Sequence, residues 1–102
     1  MIKTIFNLTL ALSLMISGQL AASDVNNGSK IYRTHCLRCH GASGRSAMAG
    51  APDLDRPGSL LQSDKSLLPR IQSGKNACPA FRGILSEQEI FDVIAYIRTL
   101  GI

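Results

Sequence analysis

Tryptophan is absent from this chain of 102 residues, and the other aromatics are few: two tyrosines and three phenylalanines. Large rings usually fill much of a small core, so this one has little of that material. No run of β-branched residues alternates with polar ones, which argues against a sheet. There are three cysteines, an odd number that cannot all pair within one chain, so a disulfide framework explains the fold poorly. Repeats and low-complexity stretches are missing as well. The charge is mildly basic, a formal +4. Its cations are spread along the chain without interleaved aromatics, which excludes a nucleic-acid-binding surface.

The first residues have a different character. Lys3 gives a positive start, Ile5 to Ile16 is mostly apolar, Gly18 interrupts, and Ala21, Ala22 and Ser23 are small. That is the layout of a secretory leader. A membrane anchor is the rival reading, but the apolar run is shorter than the roughly 20 residues of a bilayer span, which favours cleavage. The expected organisation is a signal peptide over 1–22 and one domain over 23–102, with cleavage near Ala22 or Ser23. The remaining chain of about 80 residues is near the size at which a protein-only core becomes marginal. Something else should complete the core.

Three helical stretches follow, joined by loops rich in Gly, Ser and Pro. The first is expected to start at a cap on Asn26 or Asn27 and to run to about Cys39. A loop spans Gly41 to Leu61, broken by Pro52 and Pro57. A short middle helix over Leu67–Ser73, capped by Ser66, would place Pro69 in the first turn and end at Gly74. The last helix is the clearest. Ser86 and Glu89 form an S-x-x-E capping box, and Ile90, Val93, Ile94, Ile97 and Leu100 recur at helical spacing before Gly101.

Chemistry concentrates in Cys36-Leu37-Arg38-Cys39-His40, a C-x-x-C-H pattern. Two thiols three positions apart on a helical turn can reach the two vinyl groups on one edge of a porphyrin. The adjoining imidazole then lies beneath the iron, for which it is a suitable axial ligand. A thioredoxin-like pair would need a preceding strand, and none is expected. A zinc site would need about two further ligands, with only His35, Cys78 and some carboxylates left. A plain disulfide explains neither His40 nor the small core. The pattern therefore points to one covalently bound haem c.

Nearly the whole mature chain resembles the monohaem class I cytochromes c. Gly28 to Tyr32, leading into Cys36–His40, is similar to that family's first helix. Gly41-Ala-Ser-Gly44 is similar to its turn after the histidine, and Ala51-Pro52-Asp53-Leu54 to its proximal loop. Pro79-Ala80-Phe81, Leu85 to Ile90 and Ala95 to Leu100 resemble its closing segment. The resemblance implies an all-α, cytochrome c-like fold of three to four helices around one haem, with Gly28 and Tyr96 near the crossing of the first and last helices. It also implies that the Pro52 carbonyl accepts the second ring N–H of His40, a bond that fixes the tautomer and raises ligand basicity. Arg70 or Arg45 is a candidate partner for a haem propionate.

One position departs from the family. Where a methionine usually supplies the sixth iron ligand, just before Pro-Ala-Phe, this chain has Cys78. Cys78 as a thiolate ligand is the preferred reading. Met48 is the alternative, although it lies only eight residues past His40, in a loop expected on the proximal side. Further options are a five-coordinate iron, or a Cys78 that pairs with another protein. Lys75 and His35 are weaker candidates.

The expected function is single-electron carriage between redox proteins in the periplasm, by a monomer that meets its partners transiently. It would touch a membrane only if the leader were kept as an anchor. The alternatives are a haem subunit of a sulfur-compound-oxidising enzyme, with Cys78 at the iron, and a gas-binding haem sensor. No general base or second cofactor is apparent, so catalysis is not expected of the chain alone. Because the porphyrin would complete the core, a Cys36→Ser/Cys39→Ser form should show no cooperative, native-like melt by far-UV circular dichroism. A full native-like transition without haem would contradict that expectation.

Overall fold

The computed structural model describes residues 22–101. All but the last residue of the expected leader lie outside that range. The elements are α1 (Val25–His35), α2 (Leu37–His40), a 3-10 turn (Pro57–Leu60), α3 (Asp64–Ser73) and α4 (Glu87–Ile97). Apart from isolated bridges at Lys75–Cys78 and Arg82–Leu85, no β-structure occurs among the described residues. The protein is all-α, as its patterning requires.

Helix α1 starts earlier than either asparagine would place it. Asp24 is its N-cap and accepts the Asn27 amide N–H at 3.1 Å. It also stops earlier, at His35; Cys36 has φ −116° and both closes α1 and opens α2. Helix α3 begins three residues before the expected start, because Ser63 rather than Ser66 is the cap. Pro69 is therefore interior, not in the first turn. Proline cannot bond to the carbonyl four residues back. That carbonyl belongs to Lys65, and both residues are exposed, so water can satisfy it. Gly74 ends α3 with φ 70°, a left-handed conformation that glycine adopts at little cost.

Helix α4 has the capping box in both directions. The Ser86 hydroxyl accepts from the Glu89 N–H at 3.1 Å, and the Glu89 carboxylate accepts from the Ser86 N–H at 3.0 Å. Its stripe of Ile90, Val93, Ile94 and Ile97 is buried; Leu100 falls just past the helix, half-buried. Arg98 ties the end of α4 to the loop before α3. Its guanidinium donates to Asp64 Oδ1 and to the Leu60 and Gln62 carbonyls at 2.7–2.8 Å.

Helices α1 and α4 cross at Gly28, where a Cβ would land on the Asp92 backbone carbonyl and press on the Tyr96 Cβ. Only glycine allows this approach. Tyr32 packs on Tyr96 beside it, ring centroids 5.3 Å apart. Asp92 is a buried carboxylate in the same crossing, 4% exposed. It accepts from the Asp24 amide at 2.8 Å, Asn27 Nδ2 at 3.0 Å and Gln88 Nε2 at 2.9 Å. Burial pushes its pKa up, but the bonds from Asp24, Asn27 and Gln88 outweigh burial and hold it below the usual carboxylate value. The start of α1 is thereby fastened to α4.

A depressed carboxylate pKa stabilises the fold above the unfolded value of about 3.9, and the contribution disappears as pH falls through the folded value. Asp92→Asn should cost about 2 kcal/mol near neutral pH, typical for bonds to a charged group. The difference from wild type should shrink below about pH 4. Denaturant unfolding of the haem-loaded protein at both pH values checks this.

Candidate functional site

The C-x-x-C-H segment forms one helical turn. Cys36 N–H donates to the Tyr32 carbonyl at 2.8 Å, and the N–H groups of Cys39 and His40 return to the Cys36 carbonyl at 3.3 and 3.0 Å. Gly41 then turns the chain with φ 80°. The Tyr32 hydroxyl donates to the Gly41 carbonyl at 2.6 Å and so anchors the residue next to His40. Burial, followed by the nearby Cys36, Tyr96 and Asp55, pushes the Tyr32 pKa up to about 12, so the hydroxyl stays a donor.

The following loop folds back onto this turn. Ala47 N–H reaches the Cys39 carbonyl at 3.0 Å, Ser46 N–H reaches Asp53 Oδ1 at 2.7 Å, and Leu54 N–H reaches the Gly44 carbonyl at 2.6 Å. Those bonds place the Pro52 carbonyl 2.9 Å from His40 Nδ1. A carbonyl only accepts, so Nδ1 carries a proton, and in the neutral ring Nε2 then keeps its lone pair. A neutral imidazole in this tautomer is ready to bind a metal through Nε2.

A second wall comes from the end of α3. After Gly74 the chain makes a tight turn in which Lys75 N–H donates to the Cys78 carbonyl at 3.1 Å and Cys78 N–H to the Lys75 carbonyl at 2.9 Å. Asn76, at φ 55°, supplies the left-handed position of that turn. Phe81 N–H and Arg82 N–H donate to the Ile71 and Gln72 carbonyls at 3.3 and 3.1 Å. A Cβ on Gly74 would meet the Pro79 and Ala80 backbone at 2.8 Å, so this glycine is required by the close packing of the turn. Cys78 is thus exposed but sits on a well-tied segment.

Between the walls lies a cleft of about 740 Å³. Cys36, Cys39, His40, Met48, Pro52 and Cys78 all line it. Its base is apolar, formed by Leu67, Ile71, Phe81, Leu85, Val93, Ile94 and Ile97. His35 lines the cleft edge-on to Phe81, with ring centroids 5.5 Å apart, and is therefore a packed rim residue. Burial first, then the thiols of Cys78 and Cys39, pushes the Cys36 pKa up to about 12. All three cysteines line the same cleft, and all three are free.

Among the described residues no three of His, Cys, Asp and Glu gather to hold a bare metal ion. The donors instead line a wide apolar cleft. A large planar group with a metal at its centre suits these walls: two thiols and an imidazole on one turn, oily side chains below. These residues fit haem c. Of the two guanidinium candidates for a propionate, Arg70 lines the cleft, whereas Arg45 does not and is paired with Asp55 at 3.2 Å.

Sequence reasoning singled out Cys36, Cys39, His40, Met48 and Cys78 but gave no part in the cleft to Leu54, Leu60 and Leu67, which also line it. It also missed Asp92, whose signal was a lone carboxylate within the otherwise uncharged run from Ile90 to Ile97.

Comparison with known proteins agrees with this geometry. A family model described as cytochrome C oxidase, cbb3-type, subunit III matches residues 23–97. Cytochrome c6 of Synechococcus sp. is 36% identical over 99 residues, covering 92% of this chain and 87% of that protein. Cytochrome c6 of Nostoc sp. is 34% identical over 104 residues, covering 93% and 91%. The solved structure of cytochrome c6 from the diatom Phaeodactylum tricornutum superposes with a TM-score of 0.65 at 34% identity, covering 78% of this chain and 95% of that one. Helical fold, cleft and relatives together define a c-type cytochrome with covalently bound haem c, an electron carrier. More narrowly, the chain belongs to the monohaem class I cytochrome c family.

Proposed function

We propose that this protein carries single electrons between redox proteins in the periplasm, as a monomer that docks transiently, through one haem attached by Cys36 and Cys39. His40 and Cys78, which lie on the two walls of the cleft, would hold its iron. The observation that carries this reading is the 2.9 Å contact between His40 Nδ1 and the Pro52 carbonyl, which leaves Nε2 free to ligate. Its bond to Pro52 also ties the loop bearing Met48 to the histidine side. Cys78 belongs to the other wall, anchored through Phe81 and Arg82 to the end of α3. The secretory layout of residues 1–22 supports the location, because it would deliver the chain across the membrane.

When bound, haem c supplies a one-electron iron(III)/iron(II) couple. The chain sets the conditions for that couple. Its apolar floor excludes water. The Pro52 carbonyl makes His40 a stronger donor. A thiolate at position 78 favours the ferric state far more than a neutral thioether does and lowers the potential.

Electron paramagnetic resonance of the oxidised protein should show low-spin iron with a thiolate signature, lost in Cys78→Ser. Cys78→Met should raise the potential by on the order of a few hundred millivolts. Met48→Leu should change neither. A sulfur-to-iron band in the far red that disappears in Met48→Leu would contradict ligation by Cys78.

A further inference from the structure

The side chains of the cleft carry charge of one sign. Of the described residues that line it, none is an aspartate or glutamate, whereas Arg70, Lys75 and His35 are bases. His35 is accounted for by its edge-on packing against Phe81. Carboxylates are used elsewhere: Asp53, Asp55 and Asp64 pair with Arg56, Arg45 and Arg98 at 3.4, 3.2 and 2.7 Å, and Asp92 is buried at the helix crossing. Neither Arg70 nor Lys75 has a carboxylate within salt-bridge distance among the described residues.

Backbone geometry separates these two cations. Lys75 and Cys78 form an isolated antiparallel bridge. They exchange both N–H···O bonds, at 3.1 and 2.9 Å, and are therefore directly opposed across the turn. Side chains of directly opposed residues stand on the same face, with Cβ atoms about 4.5–5.5 Å apart. Both residues line the cleft, so the shared face is the one turned towards it. The flexible four-carbon stem of a lysine is long enough to bring its ammonium beside a sulfur on the opposed residue. Asn76, at φ 55°, makes so tight a connection possible. Arg70 lies within α3, outside the bridge, and has no such register with Cys78.

The Cys78 thiol has a long contact to the Pro79 carbonyl, at 3.8 Å. A thiolate has no proton to donate there and accepts instead. An anion beside apolar side chains is costly unless a donor or an opposite charge meets it.

We infer that Lys75 is the positioning residue of the Cys78 thiolate: its ammonium meets the sulfur as hydrogen-bond donor and counter-charge, and so sets how strongly that sulfur donates to iron. This rests on the reading of Cys78 as an iron ligand. A donor on a ligating sulfur withdraws electron density, and its positive charge favours the reduced state. Lys75 thus moderates the low potential that a bare thiolate would impose.

Redox titration and electron paramagnetic resonance of the haem-loaded protein test this in two backgrounds, the natural Cys78 and Cys78→Met. With Cys78 present, Lys75→Gln should raise the ratio of oxidised to reduced protein about tenfold at a fixed potential, a fall of about 59 mV for one electron. It should also move the g values of the thiolate signal. Lys75→Arg, which keeps a cationic donor, should restore most of both. A thioether carries no charge, so in Cys78→Met the same Lys75→Gln change should alter the ratio by no more than about twofold. Arg70→Gln should act equally in the two backgrounds and leave the g values in place. An equal shift for Lys75→Gln in both backgrounds, with unmoved g values, would overturn the inference, because Lys75 would then be a general charge near the haem. A wild-type protein without any thiolate signal would instead remove the ligand reading, and this inference with it.

Discussion

The side chains at the heart of the helical packing also line the cleft. Leu67, Phe81, Leu85, Val93, Ile94 and Ile97 are buried among the helices on one side and face the cofactor cavity on the other. A domain of this length has little apolar material to spare, with no tryptophan and few aromatics. Burial of apolar surface is what offsets the loss of chain entropy on folding. A porphyrin held in this cleft would therefore be a structural component of the core, and most of what lines the cleft holds its two walls in register.

Three small devices do that holding. At Gly28 the first and last helices approach so closely that no side chain fits between them. Asp92 and its three donors pin the chain start to the same crossing. The Tyr32 hydroxyl fastens Gly41, and the loop beyond returns to bring Pro52 against His40. Each acts on backbone position, not on chemistry. Yet together they orient one imidazole so that its Nδ1 is held by the Pro52 carbonyl and its Nε2 is left to the cleft.

Much of this was legible in the residues, and the reasons differ from place to place. The C-x-x-C-H turn is readable because its backbone bonds are local and its thiol, thiol and imidazole stand at the fixed spacing that haem attachment would need. The capping box of α4 is readable because its bonds are local. The Gly28–Tyr96 crossing came from family resemblance, not from periodicity. Element starts were less legible. Ser63 and Ser66 are equally good caps by type, three residues apart, and their hydroxyls lie 3.0 Å from each other. Only packing decides between them, and the choice moves Pro69 from the first turn into the helix. Asp24 takes the cap from Asn27 because its own amide is already held by Asp92, 68 positions away. Long-range constraints of that kind leave no mark in a short window of sequence.

Mass analysis of the acid-denatured mature protein, produced in a host able to attach haem, tests the central claim most directly. One haem mass should remain on the chain after denaturation and, after digestion, on the peptide that contains Cys36 to His40. A chain at the mass of the bare polypeptide, with the thiols of Cys36 and Cys39 open to alkylation, would contradict a haem-completed core.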